Sequence, residues 1–431
     1  MIFLLDIILL INFIIAFRAF KNIIAPPILM GGGMLCASLL VSSYYYDWKL
    51  DLMLPITVFC LGGGTLTFTF ICILLNKYSR RKYTLIPKKI DSIYFYNIRL
   101  KLFYILTLII ATTAIIAKLY YFRSWFGTTL NISSILHAVR VEQLESEKFY
   151  ILPSWCRMIL TFSQVTSYVT IWLLAKHFLI RKFNNITFLL LIFHFFITFI
   201  DAFFSGTKGA IISLFFRSFI IFIMTYYAKN QSFNIDKSIY KKIAFVFLLI
   251  PFSFRFMSLA IGRNVEMQSN LDLFAEYCGA EIKNFDIYMH NAYPKNELWG
   301  VMTFRKLYED LGIITNDFCG EFQSIGNYTL GNVYTIFYNF HNDWGIVGCI
   351  ICPIFMAIFS MIFYKKCIRT LNNTGKLSPY LFLYSIIAFT ILMCFFSSKF
   401  SEIIVRLSFI RTVIYLYVIT LFFNKFIIKK N

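Results

Sequence analysis

The sequence predicts an all-α integral membrane protein, and three observations carry that prediction. Hydrophobic residues make up 59% of the chain and charged residues only 14%, a balance that a single water-soluble core does not accommodate. The apolar residues fall into runs of about 20, the length a helix needs to cross a bilayer. Short basic clusters punctuate those runs, as they do at the cytoplasmic ends of membrane helices.

About eleven spans are expected, near 1–17, 22–46, 52–76, 102–122, 155–179, 186–204, 209–228, 243–260, 343–364, 379–398 and 407–424, forming one polytopic domain over 1–431. The connections after alternate spans, with the tail, hold 23 Lys or Arg against only Asp91 and Asp236. Arg80-Arg81-Lys82, Lys88-Lys89, Lys241-Lys242 and Lys365-Lys366 are the densest points. The positive-inside rule puts that side in the cytoplasm with the C-terminus, and the N-terminus outside. The net charge of +20 is then a topology signal, and a nucleic-acid surface is excluded. Met1 to Phe17 lacks a basic leader and a small-residue cleavage site, so it reads as a retained first span.

Taken in order, Gly31-Gly32-Gly33 and Gly62-Gly63-Gly64 lie in spans 2 and 3. Neither precedes the Lys-Ser/Thr of a phosphate loop, so close helix approach is the expectation. Pro26-Pro27 starts or bends span 2. A smaller outward loop, 123–154, holds Arg123, His137, Arg140 and Glu142, Glu145 and Glu147, with a weakly amphipathic helix expected over Ile135, Val139 and Leu144. Spans 6 and 7 meet in a tight turn, Ser205-Gly206-Thr207-Lys208-Gly209. Two readings stand for it: an anion site at a helix N-terminus beside Lys208, or Lys208 at the headgroups paired with Asp201.

Arg255 and Arg263 mark the outer end of span 8, and Arg157, Arg406 and Arg411 stand near other outer helix ends. Arginine at membrane depth is expensive and points to function. Glu402 and Arg406 are spaced for an intrahelical ion pair. The longest stretch with no spanning pattern, 261–342, is read as a large outward loop. In it Leu271, Phe274, Cys278, Ile282, Phe285 and Met289 recur at helical spacing and predict an amphipathic helix. A second short helix is expected near Phe304 to Leu311, with Arg305, Lys306, Glu309 and Asp310 on its polar side. A Cys278–Cys319 disulfide stays open, and Cys349 and Cys352 have no partner pair for zinc.

Three segments carry a family resemblance: FFSGTKGAIISL (203–214), RNVEMQSNLDLFAEYCGAEIKNFDIYM (263–289) and, most specifically, GNVYTIFYNFHNDWGIVG (331–348). They resemble the Wzy-type oligosaccharide repeat-unit polymerases of O-antigen and capsule, over roughly Ile186 to Phe363. Lys208 stands where that family's turn usually has arginine. The resemblance implies a glycosyltransferase C-like bundle in the bacterial inner membrane. It implies joining of undecaprenyl-diphosphate-linked oligosaccharides at the periplasmic face, with a chain-length regulator as partner. The departing diphosphate needs fixed positive charge, for which Arg263 and Arg255 come first, then Lys208. Arg305, Arg406 and Arg411 are further candidates. The acceptor hydroxyl needs a base or orienting group, for which His341 and Asp343 are best placed, while Asn332 and Tyr334 match the motif. No Asp-x-Asp metal motif is present, so no metal or cofactor is expected. An O-antigen ligase is the nearest alternative, and a flippase or other transporter the next.

Overall fold

Helix dominates, as the apolar runs require. A computed structural model describes residues 1–80, 94–127, 134–135, 138, 152–180, 183–205, 207–230, 241, 255–256, 259, 269–291, 298–314, 321–373 and 377–429. The chain runs α1 (Ile2–Phe20), α2 (Pro26–Ser42), α3 (Pro55–Tyr78), α4 (Asn97–Phe126), α5 (Ser154–Ile180), α6 (Asn185–Phe203) and α7 (Lys208–Asn230). It continues through α8 (Asn270–Cys278), α9 (Ala280–His290), α10 (Arg305–Asp310) and an antiparallel hairpin of β1 (Gln323–Ile325) and β2 (Tyr328–Gly331). The last elements are α11 (Ile336–Asn373), α12 (Pro379–Leu392), α13 (Lys399–Ile404) and α14 (Leu407–Phe422).

Among the described residues, α1, α3, α4, α5, α6, α7, α11 and α14 are the eight helices long and apolar enough to cross a membrane. Helix satisfies every backbone polar group within the segment, which lipid demands. Two expected spans appear as shorter apolar helices, over Pro26–Ser42 and Pro379–Phe395. Most of the expected span at 243–260 and most of the 123–154 loop lie outside the described residues.

The chain forms two compact units. One takes Met1–Thr84, Gln268–Lys366 and Ile386–Phe409, and the other takes Leu85–Met267, Cys367–Ser385 and Ile410–Asn431. In the first unit α1 buries Leu5, Leu9, Asn12 and Ala16, while Phe3, Ile7, Leu10, Ile11 and Ile14 on its other faces stay about half exposed. Both faces are apolar because lipid, rather than water, is the expected solvent on the outside. Pro26 and Pro27 sit at the first two positions of α2, where their missing amide donors are not needed.

The glycine triplets serve close packing. A Cβ on Gly33 would lie 2.6 Å from the Leu392 carbonyl oxygen, and one on Gly64 would lie 2.2 Å from the Phe337 ring and 2.5 Å from the Cys349 carbonyl oxygen. Gly64 follows a π-helical turn, Phe59–Gly63, which rotates α3 just before this contact. In α11 Gly345 adopts φ 63° and ψ −153°. The segment therefore consists of two helices meeting at a kink, and only glycine enters that region without strain. The hairpin was not anticipated, although Gly326-Asn327 between Ile325 and Tyr328 is a two-residue turn signal with Gly326 at φ 56°.

Gly64→Leu is expected to destabilise the fold by about 1–3 kcal/mol through overpacking against Phe337 and the Cys349 backbone. A lowered thermal midpoint of the purified protein in detergent checks this.

Candidate functional site

α9 organises the first unit. Gly279 separates it from α8, and a Cβ there would meet Val41 of α2 at 3.1 Å. Every side chain from Ala280 to Asp286 is buried. The single amphipathic helix expected here is therefore two helices, and the polar side of the second meets protein instead of water. Asp286 accepts from the Leu54 amide at 3.0 Å and the Thr57 hydroxyl at 2.9 Å. Lys283 donates to Asp286 at 3.2 Å and to the Lys49 carbonyl at 3.1 Å. Asn284 donates to the carbonyls of Leu330 and Val333 at 3.0 and 2.8 Å. One helix thus secures the α2–α3 connection and the end of the hairpin, since buried polar groups must be matched.

Glu281 is the exception. It is 2% exposed and its Oε2 has no hydrogen-bond partner. Burial pushes its pKa well above the ordinary glutamate range, because the charged form is the one desolvation penalises.

The third motif segment is knitted into this framework. The Tyr288 hydroxyl lies 3.1 Å from His341 Nδ1, the donor depending on the tautomer, and burial pushes the Tyr288 pKa up to about 12. Tyr338 stands edge-on to Tyr288 at 4.7 Å, and Tyr334 stacks on Tyr338 at 4.4 Å. The Tyr334 hydroxyl donates to the Glu321 carbonyl at 3.2 Å. Asp343 accepts the backbone amides of Met302 and Thr303 at 3.0 and 2.7 Å, and Asn339 donates to the Met302 carbonyl at 2.7 Å. Two residues one helical turn apart thereby grip one turn of the loop. His341 remains half-buried, and Asn332 is half-buried at the turn after β2.

Two arginines of this unit, Arg305 and Arg406, are engaged by carboxylates. Arg305 pairs with Glu309 at 2.9 Å, as does Lys306 at 2.6 Å. Arg406 donates to both oxygens of Asp310, at 3.0 and 3.3 Å, and the Leu407 amide adds a bond at 2.9 Å. Partial burial works to raise the Asp310 pKa, but the Arg406 bonds outweigh it and hold the carboxyl low. The expected Glu402–Arg406 pair does not form. Helix α13 ends at Ile404 and Val405 leaves helical geometry, so the four-residue spacing no longer aligns them. Glu402 pairs with Lys399 instead.

In the second unit Lys208 is buried at the start of α7, beside the Ser205 and Thr207 hydroxyls 3.1 Å apart. Asp201 pairs with Lys118 of α4 at 2.9 Å and accepts from Gln164 at 3.2 Å, so the second of the two readings of the turn, an Asp201–Lys208 pair, does not hold. A residue 83 positions away was invisible to spacing. Below this pair, His194 lies between Thr166 and Thr170 at 3.3 and 3.0 Å, and Tyr104 meets Thr170 at 3.0 Å. Arg217 donates to Tyr168. Arg411 is half-buried, with no partner at its Nε, and Arg255 is half-buried in helical backbone.

Of the candidates, His341, Asp343, Asn332, Tyr334, Arg305 and Arg406 belong to one unit, and Lys208, Arg255 and Arg411 to the other. Arg263, His137 and Cys319 lie outside the described residues. Among the described residues no three His, Cys, Asp or Glu side chains are grouped to hold a metal. Sequence reasoning missed Glu281, Lys283, Asn284 and Asp286, because polar residues on every face of a short helix read as solvated. Compared with protein-family models, curated proteins and solved structures, the chain matches none.

Asp343→Asn places an amide against two backbone donors and is expected to cost about 1–3 kcal/mol, with faster proteolysis of the 298–304 turn as the readout. Glu281 carries the opposite pH sign from a paired carboxylate. Its folded pKa lies above its unfolded one, so stability is full below the ordinary glutamate range and falls as pH rises toward the raised value. The loss amounts to as much as about 1.4 kcal/mol per pH unit. Glu281→Gln is expected to remove that slope and to raise the thermal midpoint at pH 7, measured by melting from pH 4.5 to 9.

Proposed function

We propose that the chain polymerises polyprenyl-diphosphate-linked oligosaccharide repeat units into a surface polysaccharide, by glycosyl transfer at the outer face of the bacterial inner membrane. The reading takes the eleven-span arrangement, with the N-terminus and the 261–342 loop outside. One observation carries it: the segment most similar to repeat-unit polymerases, 331–348, commits Tyr334, Asn339, His341 and Asp343 to long-range hydrogen bonds where the loop returns to apolar helix. A segment so tied holds its side chains in fixed geometry, which group transfer needs.

In this reading the bond between the donor's anomeric carbon and the diphosphate breaks, and its electron pair leaves on the diphosphate. Fixed cations stabilise that charge, and the candidates are Arg263, Arg255, Lys208 and Arg411. Arg305 and Arg406 already face carboxylates, so they act first as the latch of α10. The acceptor hydroxyl attacks the same carbon and gives up its proton. His341, oriented by Tyr288, is the group assigned to accept that proton. Asp343 acts as a positioning residue, because both of its oxygens hold the loop turn.

Gene deletion separates this reading from its neighbours. Loss of a polymerase leaves single repeat units on the lipid core, loss of a ligase leaves bare core, and loss of a flippase traps lipid-linked units inside. His341→Ala and Arg263→Ala are expected to abolish long chains in a complemented deletion strain while membrane levels hold. Unchanged chain lengths on a polysaccharide gel remove either residue from the mechanism.

A further inference from the structure

The outer end of α2 carries Tyr44-Tyr45-Tyr46-Asp47-Trp48, a run that the transfer residues leave unused. Aromatic residues at a helix end commonly mark the membrane interface, and Tyr46, 88% exposed, fits that role. Tyr44 and Trp48 do not, because they face loop elements of the same unit. Tyr44 stacks on Trp48 at 4.9 Å, and Tyr328 of the hairpin stands edge-on to both, at 5.8 Å and 79° and at 6.2 Å and 71°. The Tyr44 hydroxyl donates to Asp272 of α8 at 2.7 Å. Bonds from Ser269 and Tyr44 keep Asp272 ionised, with its pKa held low. The Thr329 amide donates to Glu276, one turn further along α8, at 3.2 Å. Partial burial, and then the field of Asp47, Asp272 and Glu276, raises the Tyr328 pKa.

Two observations say what such a corner would take. Asp47 and Asp272 enter no ion pair among the described residues, although basic residues outnumber acidic ones by about two to one in the chain. Trp48 is fully buried beside Tyr44 and Tyr328, and its indole N–H has no acceptor among the described residues. The carboxylates call for ligand donors and the indole for a ligand acceptor, while the half-buried Tyr44 and Tyr328 rings offer apolar surface. Hydroxyls donate and accept at once, and a pyranose presents them around an apolar C–H face. Neither a metal ion nor a simple ammonium group answers the indole.

We infer that Tyr44, Asp47, Trp48, Asp272 and Tyr328 form a saccharide-holding subsite, distinct from His341, that retains the growing glycan between transfers. The inference rests on the polymerase reading. Three carboxylates repel uronate and other acidic sugars, so the subsite takes neutral or amino sugars.

The test uses full-length protein in nanodiscs and oligosaccharides released from the host's own surface polysaccharide, observed by saturation-transfer NMR, with glucuronate as the acidic comparison. Wild type is expected to transfer saturation to the neutral or amino sugars and not to glucuronate. Asp47→Asn, which keeps the shape of an exposed side chain, is expected to weaken binding about tenfold or more, and Tyr328→Ala to abolish it. In cells both variants are expected to make shorter chains while still joining repeat units. Binding and chain length unchanged in both variants overturn the subsite, as does equal binding of glucuronate. If gene deletion leaves chain lengths unaltered, the polymerase reading fails by itself, and the effect of Asp47→Asn on binding still decides the subsite.

Discussion

Asp286 and its neighbours on α9 are what the first unit depends on. The first seven residues of α9, Ala280–Asp286, are all buried and include four polar side chains, three of which satisfy backbone groups from the α2–α3 connection and the hairpin. The Lys49 and Leu54 groups belong to the chain between α2 and α3 and the Leu330 carbonyl to β2, and buried backbone groups require such partners. The helix therefore acts as a hydrogen-bonding post. The loop that would otherwise be a loose lid is held to it from two directions, and the return segment at Tyr288 and His341 is held from a third.

The polar groups of the two units follow one rule with different outcomes. Lys118 and Asp201 meet in a buried pair between apolar helices, and His194 finds threonine hydroxyls on both ring nitrogens. Each is costly in an apolar setting unless matched, and each is matched. Glu281 and Trp48 are among the groups that depart from this rule, one an acid held toward its neutral form and the other an indole donor without an acceptor among the described residues.

The positions of the candidate residues along the chain were legible from the sequence alone. Asp343 and His341 were singled out because they stand where the polar loop becomes apolar, and the structure gives each a specific partner. The partners themselves were not legible. Arg406 and Glu402 had ideal spacing for a pair, yet a break at Val405 sends Arg406 to Asp310, 96 residues away in sequence. Asp201 had Lys208 close by and joined Lys118 instead.

The sequence by itself determined that this is a multi-pass helical membrane protein, where most helices begin and end, and which glycines lie against neighbouring helices. Those features follow from apolar run length, proline and glycine, each a local property read within one or two turns. Only the tertiary structure decided that the first seven residues of α9 are enclosed, that Asp310 of α10 holds the arginine after α13, and that Tyr288 of α9 meets both His341 and Tyr338 of α11. Ion pairs and hydrogen bonds join residues by distance in space, and a long insertion between two spans leaves that distance undetermined until the chain has packed.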